Sequence, residues 1–261
     1  MTTGPAPRIA GRGWWRFLVA FLALWGVLAG LGEFDATGRW GLAIMAAVGL
    51  AAVVVDRLLY RTPLCDAVGG LGLGRPNPRA LVVAAVVSGL VLLVFPLTTA
   101  LTGAEFRLVP NWPWILLGLF AFHGLAEEMV WRAFVFRRLH AGRSFRGAVL
   151  WTMPFIAAAH IPIVINNGVA VATGGMVVAA VTSLPFSYLY VTGRGTVWAP
   201  ALIHTAIDTF KLVVIPAAAV TSYSFLIIGI SIVVPLLALA VPRRLLTAGS
   251  ASRSRVGEQV A

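Results

Sequence analysis

Two adjacent glutamates, Glu127 and Glu128, stand in an apolar stretch, with His123 four residues before the first and Arg132 four residues after the second. Downstream, His160 follows three alanines, and His204 and Asp208 stand four apart, with Lys211 three residues further on. Carboxylates and imidazoles accept and return protons near neutral pH, and together with a cation they can support charge that develops in a reaction. They are also zinc ligands. On a helix the four-residue spacings put His123 beside Glu127, Glu128 beside Arg132 and His204 beside Asp208. Neighbouring residues point about 100° apart, so Glu127 and Glu128 cannot share one task. The economical division pairs Glu128 with Arg132 and leaves Glu127 free to face the interior. Asp208 is then expected to orient His204. Lys211 is expected to snorkel to the outer surface, and His123 alone reads as a packed histidine.

The elements that must carry these groups are membrane spans. Of the 261 residues, 59% are hydrophobic and only 11% charged, and the mean hydropathy is +0.92. A soluble domain of this length is roughly a quarter charged. The composition therefore excludes an ordinary soluble enzyme, a disordered chain and a coiled coil. It predicts an all-α, polytopic transmembrane helical bundle. Apolar runs predict about eight spans, at 15–32, 40–58, 80–102, 113–137, 147–166, 169–191, 198–216 and 222–241. They form one transmembrane domain over 15–244, between expected disordered tails at 1–14 and 245–261. The first span has a basic start and small residues near Ala29, as a signal peptide would, but its length and the lack of a clean cleavage motif predict an uncleaved anchor.

The net charge of +11 would suggest nucleic acid in a soluble protein. Here it follows the arginines, which alternate between loops. Arg8, Arg12 and Arg16 precede the first span; Arg57, Arg61, Arg75 and Arg79 follow the second; Arg137, Arg138, Arg143 and Arg146 follow the fourth; Arg194 follows the sixth; Arg243, Arg244, Arg253 and Arg255 follow the eighth. The opposite loops hold only Arg39 and Arg107, near Glu33, Asp35 and Glu105. Basic loops stay cytoplasmic, so both termini are expected in the cytoplasm of a multi-pass protein of the cell membrane, with no nucleic-acid partner. Trp14, Trp15, Trp40, Trp112, Trp114 and Trp198 sit at span ends, as an interfacial belt would. The single cysteine, Cys65, excludes an intrachain disulfide and a multi-cysteine metal site.

Against that frame the charged groups inside the fourth, fifth and seventh spans are costly, about 2.5–3.5 kcal/mol each at bilayer depth, and such residues mark function. Glu-Glu-x-x-x-Arg, a small-residue helix ending in His, and His-x-x-x-Asp after Trp-Ala-Pro, in this order over about 112–210, resemble the CPBP family. These are the intramembrane proteases that include the type II CAAX prenyl endopeptidases and Abi-like proteins. By position the resemblance implies that Glu127, Glu128 and Arg132, then His160, then His204 and Asp208 make the site. Two positions depart from the family pattern: Ile156 stands where Phe is usual, and Asp208 where Asn is common. The second matters more, since Asn donates a hydrogen bond and an ionised Asp does not.

The reaction this implies is hydrolysis of a peptide bond in a membrane-associated protein or peptide, with Glu127 as general base and His160 and His204 assisting. Families of this kind have been read both as metal-free glutamate proteases and as metalloproteases. Glu127, His160 and His204 would make a three-ligand zinc site. The absence of a His-Glu-x-x-His pair favours the metal-free form. Glu127 lies roughly 15 Å and His204 roughly 9 Å from the cytoplasmic ends of their spans, so substrate is expected from the cytoplasm or the bilayer. Two other classes carry the same residue types: a non-catalytic bacteriocin-immunity or binding protein that keeps the fold, and a proton-coupled transporter. A transporter usually shows an inverted repeat, and none is visible.

Overall fold

Apolar length decides the helices, and proline and glycine decide where they bend. The computed structural model describes residues 9, 13–35 and 37–247. The expected tails, with Arg8, Arg12, Arg253 and Arg255, lie outside the described residues except at Ile9, Gly13, Trp14 and 245–247. The described helices are α1 (Gly13–Phe34), α2 (Gly41–Tyr60), the short α3 (Leu64–Gly69), α4 (Pro78–Thr102), α5 (Trp112–His140), α6 (Phe145–Ile165), α7 (Gly168–Thr192), α8 (Trp198–Ile207), α9 (Ala217–Ala240) and the short α10 (Arg243–Thr247). The protein is thus an all-α, multi-pass membrane bundle.

Among the described residues seven helices are long and apolar enough to cross a membrane, one fewer than expected. The difference is the segment predicted at 198–216. Its helix stops at Ile207, continues as a 3-10 turn over Asp208–Leu212, and ends in a two-residue strand, Val213–Val214, paired antiparallel with Arg107–Leu108. The segment still runs from one rim to the other. At its start Val197 donates to the Gly72 carbonyl (2.9 Å) and the Trp198 indole to the Gly74 carbonyl (3.0 Å), both in the Arg-rich loop after α2. At its end it joins the loop after α4. Irregular backbone at membrane depth is tolerated where protein covers it, and here α5 and the paired strand Arg107–Leu108 do so.

The loops sort by rim as the arginines predict. Trp114 Nε1 donates to the Arg39 carbonyl (3.0 Å), which joins the start of α5 to the α1–α2 turn. On the opposite rim Asn77 Nδ2 donates to the carbonyls of Thr192 (2.9 Å) and Leu246 (2.5 Å), tying α4, α7 and α10 together. Arg143 stacks its guanidinium on Trp14 at 5.6 Å, which brings the start of α1 to the same rim. Buried there as well, Arg138 pairs with Asp56 and lies 3.9 Å from the Phe134 ring centroid.

Local chemistry accounts for the bends. Pro96 has no N–H to give the Leu92 carbonyl, and α4 breaks at Leu93. Gly168 adopts φ 79° and ψ 169°, outside the helical region, and separates α6 from α7. Close approach explains Gly41 and Gly118, where a β-carbon at either would overlap a carbonyl of the facing backbone. Phe17, Phe21, Phe134 and Phe155 pack edge-on or stacked into the core between α1, α5 and α6. Phe155 therefore turns to the core, while Ile156 in the next position is buried against the site cavity.

Candidate active site

The acid pair lies in the most enclosed helix. Over α5 the backbone widens to π-helical turns at Phe120–Ala126 and Met129–Phe136, on either side of Glu127 and Glu128. Such turns recur at functional sites because they re-aim side chains that a regular helix would direct elsewhere. One turn earlier, Gly124 lets α8 approach: a β-carbon there would lie 2.6 Å from Thr205 Oγ1 and 3.1 Å from the Ala201 carbonyl. On α8, Ala199, Ile203, Ala206 and Ile207 pack on Ala80, Ala84, Val87 and Val91 of α4. With those faces committed, His204 is left to face a cavity of about 490 Å³.

All six expected site residues line this cavity, together with His123 and Lys211. Glu128 is fully buried and pairs with Arg132 through Oε2 and Nε at 3.1 Å. Its other oxygen accepts from His204 Nδ1 at 2.9 Å. Across the ring, His204 Nε2 faces Glu127 Oε2 at 3.6 Å. The two glutamates therefore do divide their work, one fixing the imidazole and the other facing its free edge. The His204 ring also packs against Phe186, with centroids 5.8 Å apart, and Phe186 carries the Arg132 guanidinium at 5.2 Å.

His160 closes the end of the regular turns of α6. Its backbone N–H bonds the Ala157 carbonyl, a tightened turn that frees the Ile156 carbonyl for the ring. Nδ1 lies 2.8 Å from that oxygen. A carbonyl only accepts, so Nδ1 bears the proton and Nε2 is the nitrogen with a lone pair. Nε2 has no hydrogen-bond partner among the described residues.

Two expectations need correction. Asp208 does not hold His204; its Oδ2 lies 3.3 Å from His123 Nδ1 and 4.0 Å from Lys211 Nζ. The cause is the end of α8 at Ile207: Asp208 takes φ −87° and ψ 4°, and the four-residue pairing lapses. Lys211 does not snorkel outward but places Nζ 2.6 Å from His123 Nε2. No cluster of three His, Cys, Asp or Glu suited to a metal occurs among the described residues, so Glu127, His160 and His204, the alternative zinc ligands, are not gathered around one point. As placed, these side chains do not fit a zinc ion.

His123 is the residue that sequence reasoning undervalued. It donates to Glu127 Oε1 at 2.7 Å, and the signal was present in the His-x-x-x-Glu spacing.

A helical membrane bundle that encloses two glutamates and three histidines in one apolar-walled cavity has the makings of an intramembrane hydrolase. Residues 109–210, which span the whole cluster except Lys211, match the family model described as type II CAAX prenyl endopeptidase Rce1-like, and this segment is similar to that class of membrane proteases. No curated protein and no solved structure matches the chain.

Proposed function

We propose that the chain hydrolyses a peptide bond of a membrane-associated protein or peptide, with Glu127 as general base. The observation that carries this reading is the position of Glu127: one oxygen is held by His123, and the other faces His204 across 3.6 Å inside the cavity. Its neighbour Glu128, by contrast, is consumed by Arg132 and His204.

In the proposed reaction a water lies between Glu127 and the lone pair of His160 Nε2. Glu127 takes its proton as the oxygen attacks the peptide carbonyl carbon. The carbonyl π bond opens to an oxyanion, which His204, held by Glu128, is placed to stabilise. When the C–N bond breaks, the proton on Glu127 passes to the leaving amine. The apolar walls from Ile207, Ile227 and Ile228 suit an apolar substrate segment entering from the cytoplasm or the bilayer.

The test is turnover of a peptide library by purified protein in detergent, with and without a chelator. Glu127→Gln keeps the shape and removes the proton acceptor, so turnover is expected to fall about 10²- to 10⁴-fold while the unfolding temperature stays near that of wild type. Equal turnover in Glu127→Gln and wild type would remove Glu127 as the base. Loss of activity to the chelator, restored by added zinc, would favour a metal-bearing arrangement of the same side chains.

A further inference from the structure

We infer that Lys211 and His123 form a positioning relay for Glu127, in which the lysine selects the tautomer of His123 and the histidine fixes the carboxylate. This rests on the reading of Glu127 as the base. Neither His123 nor Lys211 belongs to the motifs that carry the family resemblance, and Lys211 lies just outside the matched segment.

The argument is one of donors and acceptors. An ammonium group has three donors and no acceptor. Lys211 Nζ lies 2.6 Å from His123 Nε2, so a charged Lys211 can satisfy that contact only by donating to a nitrogen lone pair. A neutral imidazole with its lone pair on Nε2 carries its proton on Nδ1. Nδ1 is the atom that meets Glu127 Oε1 at 2.7 Å, where a proton is needed to bond an ionised carboxylate. The other tautomer would set a lone pair on Nδ1 against the lone pairs of Glu127. Lys211 thus keeps His123 in the form that holds Glu127.

The surrounding groups agree with this order. Asp208 Oδ2 lies 4.0 Å from Lys211 Nζ and 3.3 Å from His123 Nδ1, so its charge favours an ammonium at 211 and a proton on Nδ1. His204 faces the other oxygen of Glu127. The Phe122 ring lies 4.1 Å from the His123 ring and the Phe210 ring 5.6 Å from Lys211 Nζ, apolar walls that limit other rotamers. With Oε1 pinned, Glu127 presents Oε2 to the cavity. The aspartate at 208, where the family commonly has asparagine, is then matched to a lysine three residues later.

The inference is tested by nitrogen NMR of ¹⁵N-histidine protein together with kinetics. The chain has four histidines, and His123→Asn identifies the His123 signals. Wild type is expected to show His123 protonated on Nδ1 with Nε2 as acceptor, and Lys211→Met to lose that pattern. Lys211→Met should lower kcat about 10- to 100-fold with little change in KM, and Lys211→Arg should restore most of it. His123→Asn keeps an N–H donor near the Nδ1 position, so it should exceed His123→Leu in kcat by about tenfold. An unchanged tautomer in Lys211→Met, or equal kcat in His123→Asn and His123→Leu with both proteins folded, overturns the relay. The tautomer signal does not depend on turnover. An active Glu127→Gln protein that keeps the wild-type His123 tautomer overturns the general-base reading instead and leaves the histidine geometry standing.

Discussion

Glu128 shows how much a single buried carboxylate can be asked to do. It neutralises Arg132, whose side chain is only 2% exposed, and holds the imidazole of His204. Glu128→Gln keeps an acceptor for His204 but leaves a buried guanidinium without its counter-charge. Removing one partner of a buried pair costs about 3–5 kcal/mol, so this variant is expected to lose stability as well as rate. Glu127→Gln should lose rate alone, since the carboxylate borders an open cavity. Thermal unfolding in detergent alongside turnover separates the two, and a Glu128→Gln protein as stable as wild type would show that Arg132 does not depend on it. The pairing itself was legible beforehand, because four residues on one helix fix a shared face. The second bond of Glu128, to a helix 76 residues away, was not.

Among the elements, the start of α2 depends on one acid. Asp35 accepts hydrogen bonds from the Thr37 and Gly38 N–H groups and the Thr37 hydroxyl, and from the Trp40 N–H at 2.5 Å, next to the positive end of the α2 dipole. Burial pushes its carboxyl up, but these bonds outweigh it and hold the pKa below the ordinary 3.8. A folded pKa below the unfolded one means that the stabilisation is complete above about 3.8 and is lost as pH falls through the lower, folded value. Asp35→Asn is expected to cost roughly 1–2 kcal/mol near neutral pH, as lost helix-start caps do, with the gap to wild type closing as the medium is acidified below that point. Unfolding temperatures of the two proteins from pH 7 to pH 3 provide the comparison, and parallel curves would contradict the role given to the ionised carboxylate. The same scale holds the largest departure from the expected elements. No proline or glycine lies within Asp208–Leu212 to announce the end of α8. One tie of that turn is local, Thr209 Oγ1 on the Ala206 carbonyl at 2.7 Å, and the other is tertiary, Lys211 on His123.

For the whole molecule, the two rims differ in charge, and that difference predicts sidedness. The rim that gathers the loop after α2, the α5–α6 turn, the α7–α8 loop and α10 carries Arg61, Arg75, Arg143, Arg194, Arg243 and Arg244. The other carries Arg39 and Arg107. Reporter fusions after Arg79, Arg146 and Arg244 are expected to read cytoplasm, and fusions near Asp35 and Glu105 the opposite side. A non-cytoplasmic signal after Arg146 would reverse the order of crossings and the depth assigned to the site. Seven described helices are long and apolar enough to cross a membrane, and the segment from Trp198 to Val214 lies beside them partly without α-helix.

The membrane class, the rim of each loop, and the Glu128–Arg132 and His123–Glu127 contacts follow from the amino-acid sequence alone. Hydropathy acts over a span, charge over a loop, and helical periodicity over four residues, so each is decided by local chain. Tertiary structure decided the rest: that Glu128 rather than Asp208 holds His204, that Lys211 turns inward to His123, and that α8 ends at Ile207. These outcomes depend on how close two helices come and how each is rotated, which Gly124 and the π-helical turns of α5 set together. Each residue turns a helix by about 100°, so an early helix end points a side chain at a different neighbour, and only the packed bundle specifies which neighbour is there.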